Sequence, residues 1–202
     1  MFILCLLYLF LPMVGLAQDI GVRTSLQKAT FGGGCFWCVE AIFERIEGVT
    51  SCVSGYAGGD VKHPNYKDIS TGKTGHAEVI QITYNETIVP YALLLEIFWK
   101  THDPTTLNQQ GYDKGTQYRS VIFYHNQQQQ QTAQALKKDI EQANIYDKPI
   151  VTEIKPLGAF YKAEAYHQNY YELNKNQGYC QYVIAPKLKK LDKLFAKYLK
   201  KK

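Results

Sequence analysis

Apolar and polar positions alternate in five stretches of the chain and repeat at helical spacing between them. "QKATF" (27–31), "VTSCVSGY" (49–56), "AEVIQITY" (77–84), "TQYRSVIFYH" (116–125) and "PIVTEI" (149–154) carry the two-residue period of strands. Val39, Ile42, Phe43 and Ile46 fall on one helical face, with Gly48 placed as the cap that ends it. Pro90 opens a second helix through Leu94, Ile97 and Phe98, and the glutamine tract at 127–131 reads as the polar start of a third that continues through Leu136 and Ile140. "GGDVKHPNYKDISTGKTGH" (58–76) and the polar run from Asp103 to Gly115 read as loops, dense in turn-forming residues. Helical segments close the chain. Leu188, Leu191, Phe195 and Tyr198 form an apolar stripe on the last of them, and its lysines are left for water. Strands alternating with helices predict an α/β (α+β) two-layer sandwich, a mixed sheet covered by helices.

The length, 202 residues, suits one domain of ordinary size, and a net charge of +5 concentrated in the final lysines gives no basic, aromatic-lined stripe for a nucleic acid. The beginning is different in kind. "MFILCLLYLFLPMVGLAQ" has a short apolar run broken by Pro12, then Gly15 and Ala17 where a signal peptidase reads small residues. The expectation is a signal peptide over residues 1–17, cleaved after Ala17 and taking Cys5 with it, and an exported domain over 18–202. The missing Lys or Arg before the apolar run leaves an uncleaved anchor as the alternative.

Residues 31–38, "FGGGCFWC", carry the chemistry. Cys35 falls at a strand-to-helix turn, where unpaired amides and the helix dipole favour a thiolate. The glycines let backbone and substrate come close. Phe36 and Trp37 beside a turn thiol can line a lipophilic pocket. A structural cysteine in a tight turn is the plainer alternative. Glu78 shares strand parity with Ile80 and Ile82, so it should face their apolar side, where desolvation raises a carboxyl group into the range of a proton donor. A glutamate turned to water at the strand end is the competing account. Tyr66 and Tyr118 offer hydroxyl donors, although most of the 16 tyrosines serve packing.

"GCFWCVEAIF", "SGYAGG", "PNYKDISTGKTGHAEV", "THDPTTLNQQGYDKGTQYRSVIFYH" and "NQGYCQYVIAPKL" together resemble the A-type peptide methionine sulfoxide reductases, over roughly residues 28–196. These enzymes reverse one epimer of methionine sulfoxide. The resemblance implies a ferredoxin-like sandwich and thiol-dependent reduction of methionine S-sulfoxide, free or in oxidised proteins and peptides. Cys35 matches the nucleophile that becomes a sulfenic acid, and Phe36 and Trp37 match the pocket for the substrate methyl group. Glu78 matches the acid at the sulfoxide oxygen, Tyr66 and Tyr118 the hydroxyls that assist it, and Asp113 a supporting polar residue in substrate binding. The family commonly resolves its sulfenic acid with a cysteine in the C-terminal "GYC" context, here Cys180. That segment, flanked by glycine, also reads as free to move. Cys38, one helical turn from Cys35, is the alternative, and Cys52 reads as strand packing. Neither metal nor bound organic cofactor is implied. The electrons come from an external thioredoxin-like protein, or from dithiothreitol in vitro, and the chain is expected to act as a monomer. The leader departs from the many cytosolic members and leaves the identity of the reductant open.

Two rivals use the same cysteines. One is a secreted thiol–disulfide oxidoreductase built on the C-x-x-C spacing of Cys35 and Cys38, although its central pair is Phe-Trp. The other is a secreted module held by structural disulfides among Cys35, Cys38, Cys52 and Cys180. A zinc site from Cys35, Cys38 and Cys180 is weaker, because a second closely spaced ligand pair is missing.

Overall fold

The computed structural model describes residues 25–201, so the leader and its cleavage site lie outside the described residues. β1 (Leu26–Gly33) runs into α1 (Phe36–Phe43), β2 (Val49–Ala57), α2 (Tyr66–Ser70), β3 (Ala77–Asn85) and α3 (Tyr91–Thr101). A small hairpin, β4 (Gln109–Gln110) and β5 (Asp113–Lys114), precedes β6 (Ser120–Tyr124), α4 (Gln127–Gln142), β7 (Glu153–Pro156) and β8 (Phe160–Lys162). α5 (Tyr170–Leu173), a π-helical turn (Cys180–Ile184) and α6 (Ala185–Phe195) complete the order.

The main sheet runs β7-β6-β1-β3-β2-β8. Its centre, β6-β1-β3-β2, is antiparallel throughout, and with α1 and α3 it makes the ferredoxin-like β-α-β-β-α-β unit. β7 joins β6 in parallel and β8 joins β2 antiparallel, which makes the sheet mixed. One face buries Phe31, Ile80 and Ile82 under α1, α3 and α6. The other holds a smaller cluster, Ala57, Ala77, Val79, Val121 and Phe123, beneath the loops. On α6, Leu188, Leu191 and Phe195 are buried, as their spacing predicts. Burial of such side chains is worth about 1.5–3 kcal/mol each, enough to dock a helix whose other face is lysine.

Several boundaries differ from expectation for identifiable reasons. The long loop contains α2, started by a capping box: Asn65 Oδ1 accepts from Asp68 N at 3.1 Å, and Asp68 Oδ2 accepts from Asn65 N at 3.3 Å. The 116–125 strand begins only at Ser120, because Gly115 at φ 145° turns the chain into a 3-10 turn over Thr116–Tyr118. The strand expected at 149–154 pairs from Glu153, and β8 carries too short a pattern to register. Ile46 lies past the end of α1 yet is fully buried, bridged to Leu199. Cys180 is likewise not in a loose segment; it is fully buried at the start of the π-helical turn.

Candidate active site

The glycine run ends β1 and delivers Cys35 to the N-cap of α1. Gly34 is held there by two constraints. Its φ is +94°, and a Cβ would stand 2.6 Å from the side chain of Gln110, so any other residue would be strained and crowded. Cys35 is 7 % exposed. The first free amide of α1 does not serve the thiol: Phe36 N–H donates to Glu78 Oε2 over 3.1 Å. Glu78 is buried on the face of Ile80 and Ile82, as its strand parity predicts.

This arrangement works against the thiolate expected at Cys35. Burial pushes the Cys35 thiol well up, and the neighbouring Cys38 thiol adds to the rise. Cys38 is pulled down to about 7, chiefly because the Cys35 thiol donates to it, against burial and with help from Lys187. The two thiols titrate as one unit, and the first negative charge belongs to the pair. Desolvation pushes Glu78 up to about 8, although the Phe36 amide opposes this. Its carboxyl is a proton donor at neutral pH. The helix-terminus effect at Cys35 is opposed first by burial, and the Phe36 amide that could serve the thiol is taken by Glu78.

Aromatic rings cluster around the cysteine turn. Trp37 stacks on Tyr170 at 3.6 Å and 6°, and Tyr179 meets its edge at 5.8 Å. Phe36 lies 5.9 Å from Tyr56 and 4.9 Å from the His167 ring. Tyr66 is 4.5 Å from the same ring and begins α2, where its N–H donates to Glu164 Oε1 over 2.8 Å. Tyr118 closes the 3-10 turn before β6. The Tyr66 and Tyr118 hydroxyls are raised first by burial and then by the charge of Glu78, with Cys35 contributing to both. Both therefore stay protonated donors beside the carboxyl and the thiol. Asp113, on β5, accepts from Tyr179 Oη at 2.7 Å, and Tyr179 Oη stands 3.7 Å from Cys38 Sγ. The residues singled out from sequence thus converge on one site. Cys180 stands behind it, raised by burial and then by the charge of Cys38. Cys52 lies on β2, with its thiol raised by burial.

The sequence reading missed Tyr56, Glu164, His167, Tyr170 and Tyr179. Tyr56 Oη donates to Glu164 Oε2 over 2.9 Å, and Trp37 Nε1–H donates to His167 Nδ1 over 3.1 Å. The available signal was compositional. "EAYHQNYYE" (164–172) mixes acid, imidazole and amide with aromatics and has no apolar period that a core would require. Chemically, the site combines a dry thiol pair, a protonated carboxyl, two hydroxyl donors and an aromatic box. It fits a small apolar group bearing an oxygen that needs protonation.

Comparison with known proteins converges on one family. Residues 27–199 match the sequence model of the family described as Peptide methionine sulfoxide reductase. Peptide methionine sulfoxide reductase MsrA of Acinetobacter baumannii is 54 % identical over 179 residues, 87 % of this chain and 99 % of that protein. Among solved structures, Mxr1 from Saccharomyces cerevisiae in reduced form superposes with a TM-score of 0.70 at 35 % identity, covering 77 % of this chain and 90 % of that one. Mxr1 in complex with Trx2 superposes with a TM-score of 0.50 at 26 % identity, over 69 % and 81 % of the two chains.

Proposed function

The chain belongs to the peptide methionine sulfoxide reductase family, and from that premise we propose how its own residues reduce the sulfoxide. The observation that carries the proposal is the Glu78 carboxyl, raised to about 8 and hydrogen-bonded to the Phe36 amide next to Cys35, inside the box of Phe36, Trp37 and Tyr66. The enzyme reduces methionine sulfoxide and acts in repair of oxidised proteins. The methyl group of the substrate seats against Phe36 and Trp37, and its oxygen faces Glu78, Tyr66 and Tyr118. Cys38, one helical turn away, takes the Cys35 proton as the Cys35 sulfur attacks the sulfoxide sulfur. Glu78 protonates the oxygen as that centre loses its S=O character. The oxygen passes to Cys35, methionine leaves as the reduced sulfide, and Cys35 is left as a sulfenic acid, two electrons more oxidised.

We favour Cys38 as the first thiol to trap that sulfenic acid, because it sits one helical turn from Cys35, its N–H donating to the Cys35 carbonyl over 3.1 Å. Their condensation forms the Cys35–Cys38 disulfide and releases water. Cys180 senses the charge of Cys38 and sits in a π-helical turn, a feature frequent at functional sites. Its thiolate can then attack Cys38, which frees Cys35 and carries the disulfide to Cys38–Cys180. The Cys180 assignment implied by family resemblance thus becomes the second step. The electrons finally come from a thioredoxin-like protein, a proposal supported by the Mxr1–Trx2 complex. With Cys35 7 % and Cys38 1 % exposed, the pair is poorly placed to meet the disulfides of other proteins, and this disfavours the C-x-x-C oxidoreductase.

Two measurements test the reading. The purified protein with dithiothreitol should release methionine from the S epimer and leave the R epimer untouched. Equal turnover of both would remove the stereochemical claim, and turnover of neither would remove the function. Peptide mapping after one equivalent of sulfoxide without reductant should find Cys35–Cys38 in Cys180→Ser and a Cys38–Cys180 link in the native protein. A Cys35–Cys180 link that forms equally well in Cys38→Ser would show that Cys180 resolves directly.

A further inference from the structure

Trp37 is the one pocket wall tied down by a polar bond to an ionisable ring. Its indole can only donate, so the 3.1 Å contact requires that His167 Nδ1 be the bare nitrogen and that Nε2 carry the proton. His167 Nε2 is buried without a hydrogen-bond partner, and Glu164 Oε2 stands 3.9 Å away. A buried imidazole N–H left unpaired costs free energy. This ring therefore tolerates an orphan at Nε2 to keep an acceptor at Nδ1. The same ring packs against Phe36, Tyr66 and Tyr166, and touches Trp37 at 5.6 Å.

We propose that His167 is a positioning residue: its Nδ1-acceptor form holds the Trp37 indole as a wall of the substrate pocket, and protonation at Nδ1 releases that wall. The inference rests on the reading of Trp37 as part of the pocket. A proton on Nδ1 would face the indole N–H, so two donors would meet where one hydrogen bond now stands. The new cation would instead turn its Nε2–H toward Glu164. The wall loosens and sulfoxide binding weakens, with Cys35 and Glu78 untouched.

The groups facing His167 leave it as the local switch near neutrality. On its own segment are Glu164 and Tyr166; α2 contributes Tyr66, and Tyr56 of β2 reaches it through Glu164. Burial raises all three tyrosines above their usual range, so they stay neutral. Burial also acts to raise Glu164, but the hydrogen bonds from Tyr66 N–H and Tyr56 Oη outweigh it and hold the carboxyl below its usual value. It stays charged. Burial lowers His167 itself, against the pull of Glu164. The Trp37 bond is therefore present at and above the ordinary histidine value and is lost as pH falls below it.

The test uses the two indole N–H signals of the protein, Trp37 and Trp99, in a 15N-labelled sample. Trp99 Nε1 has no hydrogen-bond partner and serves as an internal reference. The Trp37 signal should move as pH falls below about 6.5, with Trp99 fixed. In His167→Phe the Trp37 signal should be displaced at pH 7.5, with KM for methionine sulfoxide raised about 3–10-fold, the equivalent of one neutral hydrogen bond, and kcat little changed. His167→Asn keeps an acceptor near the position of Nδ1 and should restore both signal and KM while removing their pH dependence. A Trp37 signal insensitive to pH and to His167→Phe, or the same acid rise of KM in His167→Asn, would overturn the proposal. The NMR readout needs no turnover, so failure here is distinguishable from failure of the activity.

Discussion

Replacing Cys35 by serine is expected to abolish methionine release from the S-sulfoxide, down to the uncatalysed background. A serine hydroxyl is a poor nucleophile without a strong base, and oxygen cannot accept the sulfoxide oxygen as sulfur does. The fold should tolerate the change. Cys35 caps α1 by its backbone, without a side-chain hydrogen bond to the helix, so the melting temperature should move by only a few degrees, consistent with about 1 kcal/mol in a domain of this size. The measurement is single-turnover methionine release with thiol titration. One equivalent of methionine from Cys35→Ser, accompanied by a Cys38–Cys180 disulfide, would move the nucleophile to Cys38.

The parts of this site that the sequence reveals are those a period or a turn can encode. Strand parity ties Glu78 to Ile80 and Ile82, which face the core, yet it left a glutamate turned to water open, and the acid role came from the family resemblance. Cys35 is legible because a glycine run between a strand and an amphipathic helix has few other uses. The two-layer sandwich follows from the same alternation, since β1, β2, β3, α1 and α3 each bury a face, while its ferredoxin-like strand order was implied by the family resemblance. The remainder is held by polar bonds between distant residues, which leave no period. Gln168, for example, accepts from Ser54 N at 3.1 Å and donates to Ser54 O and Ala163 O at 3.0 Å. Those bonds pin the segment that brings Glu164, His167 and Tyr170 to the site. The helix-terminus argument at Cys35 is local, whereas its burial is tertiary and the carboxyl that takes the Phe36 amide lies 42 residues from Phe36 in sequence.

The second large effect concerns Glu78 and has opposite signs for activity and stability. Glu78→Gln keeps an acceptor for the Phe36 amide and an N–H donor for the sulfoxide oxygen, but it has no proton to give. General acid catalysis is typically worth 10²–10⁴-fold, so kcat should fall by about that factor. The native enzyme should lose activity as pH rises through about 8, where the carboxyl ionises. The glutamine variant should lack that alkaline limb. Stability runs the other way. In the unfolded chain Glu78 ionises near 4.5, but in the folded protein only near 8. Between those values the folded state binds the extra proton, so the native protein loses stability as pH rises. Above pH 8 the full penalty of burying the carboxylate is present, on the order of a few kcal/mol. Glutamine never carries it. Denaturant unfolding at pH 6 and pH 9 should show the variant gaining on the native protein at the higher pH. Equal pH dependence of stability in the two proteins, with the alkaline limb of kcat retained in the variant, would remove Glu78 from the role of acid. A carboxyl buried at a cost in stability, and ionised only above neutrality, is what proton donation to a sulfoxide oxygen requires.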